Sequence, residues 1–236
     1  MPTPHEPPAM RPVSSAPERV DVPLQQPDTP SGLLGPYTVP YDRLLGRWCV
    51  VASTLPLWKN KRDVSITYSL IDGAPPTTLD DLVEFRREGA APGSKKWSVR
   101  GVDTLETDVE GNGARWKWRG KGWLRISSSH WQLLGYSLSP LLDAHPAVAA
   151  STIPLGPSPN PSPDWVVTYF SSTLFTPAGL DVYARDSRGV DERKVGELVR
   201  QLEVLGGEVG RLVQGGKMFR IPHEEEGAEG AVPTRS

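Results

Sequence analysis

The groups in this chain that could bind metal or attack a substrate are few and scattered: His5, His130, His145, His223 and a single cysteine, Cys49. No two histidines stand at ligand spacing and no cysteine cluster joins them, so no metal site is expected, and a lone cysteine excludes an internal disulfide. Cys49 lies in the apolar run Trp48-Cys-Val-Val-Ala52, where a thiol reads as a small buried hydrophobe rather than a nucleophile. The sequence holds no nucleophile elbow, phosphate loop, dinucleotide fingerprint or paired-carboxylate motif, and it implies no cofactor. Acid–base chemistry, if any, centres on His130 beside Trp131, with Tyr136, Asp103 or Glu106 as possible neighbours. His130 and Tyr136 are therefore the catalytic candidates, for a cofactor-independent isomerase or cyclase.

Aromatic rings offer more. In Arg115-Trp116-Lys117-Trp118-Arg119 a two-residue period puts both tryptophans on one strand face and all three cations on the other. Rings supply large contact area at small rotamer cost, and small-molecule pockets are lined by them. The candidate ligand contacts are Tyr68, Phe85, Trp116, Trp118, Trp131, Tyr136 and Tyr169. The same rings could equally fill a solid core. If instead the cations turn inward, Arg119 becomes the anchor for a carboxylate through its bidentate fork; the sequence leaves the orientation of this strand open.

Positioning such residues falls to short stretches rich in β-branched and aromatic residues: Trp48–Thr54, Val64–Ile71, Leu82–Arg87, Lys96–Thr104, Arg115–Arg119, Trp123–Ser127, His130–Tyr136, Trp165–Ser171 and Leu180–Arg185. Gly, Pro or Asp at the breaks suits an antiparallel meander. One strong helix follows, from Asp191 to about Val213, with Val195, Leu198, Val199, Leu202, Leu205, Val209 and Leu212 mostly three or four apart. Asp191 can cap its first amides, and Gly206-Gly207 should kink its second half. A meander followed by one amphipathic helix is most simply satisfied by a barrel, which has no open edges, with the helix on its outer wall.

A formal net charge of −2 offers no basic face to neutralise phosphates, so nucleic acid is not an expected partner. Residues 1–36 carry prolines at 2, 4, 7, 8, 12, 17, 23, 27, 30 and 36 and read as a disordered arm; residues 221–236 read as a disordered acidic tail. Ser139 to Pro163, with seven prolines, reads as a long loop. The N-terminus lacks the charged start and apolar stretch of a secretory signal, and no run of about 18 apolar residues could span a bilayer. A soluble cytoplasmic protein is the expectation.

Gly46-Arg47-Trp48, within Tyr41-Asp-Arg-Leu-Leu-Gly-Arg-Trp-Cys-Val-Val-Ala-Ser, resembles the first signature of the lipocalins, a G-x-W at the start of strand A. Asp164-Trp165 is similar to the second signature, and Leu180-Asp-Val-Tyr-Ala-Arg185 to the third, in which an arginine ends the last strand before the helix. Val64 to Gly73 looks like strand B of the bacterial-lipoprotein type, although the lipid-anchor signal of that group is missing. The resemblance covers roughly residues 37–220. It implies an all-β fold with one C-terminal helix, an eight-stranded antiparallel up-and-down barrel, with Gly46, Trp48 and Arg185 structural and Arg185 packed across the Trp48 ring. It also implies a small hydrophobic ligand, such as a fatty acid, terpenoid or polyketide, held inside the barrel. Two stretches depart from the pattern: the loop before Trp165 is long, and Lys121–Ser129 does not align.

Overall fold

The computed structural model describes residues 19–91, 93–107, 114–122, 128–139, 163–173 and 176–224. Along the chain run β1 (Val20–Val22), the short helix α1 (Tyr41–Leu44), β2 (Gly46–Ser53), a 3₁₀ turn (Pro56–Trp58), β3 (Lys61–Leu70), β4 (Thr78–Arg87) and β5 (Trp97–Leu105). Then come β6 (Arg115–Gly120), β7 (Ser128–Leu138), β8 (Trp165–Phe170), β9 (Gly179–Ala184), α2 (Glu192–Leu205), α3 (Gly207–Val213) and β10 (Phe219–Arg220). Strands β2 to β9 pair antiparallel in sequence order, and β9 returns to β2, so eight strands close a barrel. The Trp123–Ser127 stretch read as a strand lies outside the described residues.

Pairing register sets which side chains face inward. Trp48 is opposite Ile66, Tyr68 opposite Asp81, Asp103 opposite Trp118, and Trp116 opposite Trp131; directly paired residues share a face. The inner cluster includes Trp48, Val50, Ile66, Leu79, Trp116, Trp131, Leu133 and Tyr183. A second cluster lies outside the wall, where Cys49, Val51, Leu134, Val167, Val182 and Ala184 meet Val195, Leu198 and Leu202 of α2 and Val209 and Val213 of α3. Strands β2, β8 and β9 are thus covered on both faces, which is why they read as nearly continuous apolar runs.

The helix divides where the two glycines stand. Asp191 caps α2 by accepting the Lys194 amide at 2.8 Å, and Gly206, at φ +64°, separates α2 from α3. None of the described helices is long and apolar enough to cross a membrane.

Two segments set aside as disordered carry structure. Within residues 1–36, Val20–Val22 pairs with Leu138–Tyr136, because β7 outruns β6 and leaves its last turnless residues in need of hydrogen bonds. A Cβ on Gly135 would stand 2.8 Å from the Val22 carbonyl, so the missing side chain admits this close approach. Leu24 and Leu34 of the same arm are buried. At the other end Ile221 is buried, and Glu224 bonds Arg62 and Arg86 beside Asp63. Proline is tolerated in the arm because an edge strand needs amides on one side only.

Candidate functional site

The two ends of the barrel differ in construction. At the end holding α1, Arg185 lays its guanidinium 3.7 Å from the centroid of the Trp48 ring and donates to the carbonyls of Arg47 and Arg43. Burial lowers the Arg185 pKa to about 10. Trp48 donates its indole N–H to the Leu44 carbonyl at 2.8 Å. Gly46 holds φ +89°, a conformation that side chains rarely adopt, and lets the chain turn from α1 into β2 beneath this pair. Tyr136 faces inward at the same end, with its pKa raised by burial.

Aromatic rings cross the middle of the barrel. Trp131 stacks on Trp116 with centroids 5.7 Å apart and 10° between planes, and on Tyr68 at 5.7 Å and 20°; Tyr41 meets Trp116 edge-on. The void they leave, bordered also by Thr168 and Tyr183, is about 10 Å³. That is close to the smallest space able to hold one water molecule, so this layer is filled by the protein's own side chains.

Three carboxyl groups stand among these rings, each met by an indole. Trp131 Nε1 donates to Asp103 at 2.8 Å, Trp58 Nε1 donates to Asp181 at 3.1 Å, and Trp118 bonds Asp81. Asp181 also accepts from Ser53 Oγ, so both of its oxygens are satisfied. Burial pushes its carboxyl up to about 7 against the pull of those two donors. Asp81 and Asp103 are likewise raised, first by burial; for Asp103 the Asp81 charge is the next cause, and for Asp81 the neighbouring Asp80 charge adds to the rise. Among the described residues, Asp81 Oδ1 and Asp103 Oδ2 have no hydrogen-bond partner. Tyr68 and Tyr183, buried alongside, are pushed up by the same desolvation.

The opposite end, where the turns that follow β2, β4, β6 and β8 lie, is less covered by the described residues. Phe85, Trp118 and Phe170 point inward there but remain half-buried. Lys61 lies 4.5 Å from the Phe85 ring centroid and donates to the Leu57 carbonyl. Trp118 lies flat over Gly101: a Cβ there would stand 2.1 Å from its indole nitrogen. Because Gly101 is paired with Asp81, this bare backbone is what brings the Trp118 indole to the carboxyl.

The sequence candidates therefore divide. Tyr68, Phe85, Trp116, Trp118, Trp131 and Tyr136 face the interior. Arg119, paired with Ser128, is exposed with Lys117 on the outer face, so it is no anchor for an enclosed ligand. Tyr169 also faces outward, donating to Glu208 of α3 at 2.8 Å; β8 is apolar on both faces and its alternation does not reveal which side is inner. His130 is on the outer face, 3.5 Å from Glu106, and so does not meet Tyr136. Sequence reading missed Asp81 and Asp181 and took Asp103 only as a neighbour of His130. The signal was present: Leu79, Asp81, Val83 and Phe85 share one strand parity, which places a carboxylate among apolar residues.

No protein-family model matches the chain, and no curated protein matches it in sequence. Among solved structures, insecticyanin from the tobacco hornworm Manduca sexta is similar, with a TM-score of 0.52 at 10% identity over 88% of this chain and 91% of that one. Lobster apocrustacyanin A1 gives a TM-score of 0.45 at 9% identity over 78% and 79% of the two chains. The fold is that of a lipocalin: a closed eight-stranded antiparallel barrel with a helix after its last barrel strand.

Proposed function

We propose that this protein binds a small molecule with an apolar body, admitted through the open end of the barrel and seated against the inward-facing rings. One observation carries the reading: Phe85, Trp118 and Phe170 point into the barrel yet remain partly accessible, while the opposite end is closed by α1, Trp48 and Arg185. Large rings left accessible inside a concave wall are the usual lining of a small-molecule site. Fatty acids, terpenoids and polyketides are the classes whose bodies suit such a lining.

The central layer is filled, so the guest sits toward the mouth or displaces a ring on entry. Trp118 is the ring best placed to move, because it rests on bare backbone at Gly101 and is only half-buried. An isomerase or cyclase built on His130 and Tyr136 gains nothing from this geometry, since the two face opposite sides of the wall.

Tryptophan emission should quench or shift as members of these classes are added, and native mass spectrometry should retain the guest on the folded chain. Silence in both measurements across a broad panel of lipophiles would refute the proposal.

A further inference from the structure

Two of the interior carboxyls are short of partners. Asp81 is 5% exposed and Asp103 is fully buried, each accepts from one indole, and each keeps one oxygen without a hydrogen bond to any of the described residues. A buried polar atom left without a partner costs free energy, more so when the group is charged. Burial, Asp80 and the Trp118 indole act on Asp81; burial, Asp81 and the Trp131 indole act on Asp103; and the neutral hydroxyls of Tyr68 and Tyr183 stand near enough to feel these carboxyls. Among the described residues no basic group is a cause of either carboxyl's raised pKa, and the one buried guanidinium nitrogen without a partner, Arg43 Nη1, lies at the α1 end beside Tyr136. At the mouth, Lys61 turns its ammonium to the Leu57 carbonyl and the Trp58 and Phe85 rings, and Arg87 beside it lies over the Trp97 ring. Phe85 is four residues from Asp81, about 13 Å along the strand.

Resting on the small-molecule reading above, we propose that the guest is an organic cation: a primary amine on an aromatic or alkyl body, its ammonium received by Asp81 and Asp103 and its body by Trp118 and Trp131. The ammonium supplies what the site lacks. It donates up to three hydrogen bonds to the two open oxygens, and its charge offsets the repulsion that keeps the pair from ionising together. Indole faces around it add cation–π attraction. Entry follows from the placement of Trp118, whose ring covers Gly101 directly opposite Asp81: rotating it outward exposes the carboxyl and vacates the space that the ring filled.

The test is a matched series measured by isothermal titration at pH 8: phenethylamine, 2-phenylethanol and phenylacetate, with decylamine, decanol and decanoate as the long-bodied counterparts. At least one amine should bind about tenfold or more tightly than its alcohol, with the carboxylate weakest, as expected where a charge-assisted bond replaces a neutral one. In Asp103→Asn and Asp81→Asn, each confirmed folded by circular dichroism, the ratio of amine to alcohol affinity should fall toward one. Alcohols or carboxylates binding as tightly as amines would overturn the cation while leaving a small-molecule site in place. Failure of all six to bind, together with silence of the lipophile panel, would end both readings. An amine preference that survives in both Asn variants would also overturn the assignment of the ammonium to these carboxyls.

Discussion

At the scale of single residues, the interior places titratable groups where water cannot stabilise their charge, and this makes stability depend on pH. Asp181 ionises near 3.8 in the unfolded chain, while in the barrel burial holds its proton up to about 7. Between those values the folded state binds the extra proton, so its stabilising effect is complete below about 4, declines as pH rises toward 7 and is gone above. A displacement of this size corresponds to on the order of 4 kcal/mol. Asp181→Asn carries no proton to lose. Its unfolding free energy, measured in urea, should improve relative to the natural chain between pH 4 and 8, whatever constant penalty the lost acceptor brings; parallel pH profiles would remove the burial argument. Arg185 is a simpler case. Replacing it with Ala removes the ring contact and two bonds to backbone carbonyls, at about 2 kcal/mol, and Lys should recover part of that because it keeps the charge but not the fork. Thermal midpoints that do not separate Arg, Lys and Ala would exclude a structural role for the stack.

At the scale of elements, legibility followed local periodicity. Strands β5 and β6 and the helix segments declare themselves because one face is apolar and the other polar. Trp116 and Trp118 turn inward because Lys117 and Arg119 are then left in water. The sequence left open which face of β6 turns inward, and the G-x-W closure was legible only through the lipocalin resemblance, not through periodicity. Strand β1 was not, since its three residues gain order from Leu138, Ser137 and Tyr136, more than a hundred positions away, and nothing in Val20-Asp-Val22 announces that edge. The Asp181 site was hidden for a related reason: in Gly179–Ala184 every residue is buried, so its sequence cannot show which face holds the acid. The helix offers a graded test of how much tertiary packing, rather than propensity, holds it. Leu198 is fully buried under the outer wall, and Leu198→Ala should cost about 2–5 kcal/mol. Loss of the Asp191 cap in Asp191→Ala should cost about 1 kcal/mol. Equal losses in chemical denaturation would mean that α2 is not held chiefly by its buried face.

For the whole molecule, closure at one end and access at the other depend on chain lying outside the eight barrel strands. The segment from Arg19 to Val39 crosses the α1 end: Arg19 donates to Ser137 and to the Pro163 carbonyl, Gln25 bonds Leu134, and Val22, Leu24 and Leu34 are buried. These contacts join β7 to the start of β8, whose sequence connection is long, so the arm ties together strands that their own loop leaves distant along the chain. Removing residues 1–36 should therefore destabilise the barrel even though every barrel strand remains. The three buried apolar side chains lost with the arm are worth about 1.5–3 kcal/mol each, offset by the ordering entropy that the arm no longer loses. A net loss of a few kcal/mol lowers the thermal midpoint of a chain this size by about 5–10 °C. Guest affinity should change less than stability, because Trp118, Asp81 and Asp103 belong to strands that the deletion does not touch. An unchanged midpoint would show that the arm adds nothing to the closed end, and a loss of binding in a chain still folded would place the guest at that end rather than at the mouth.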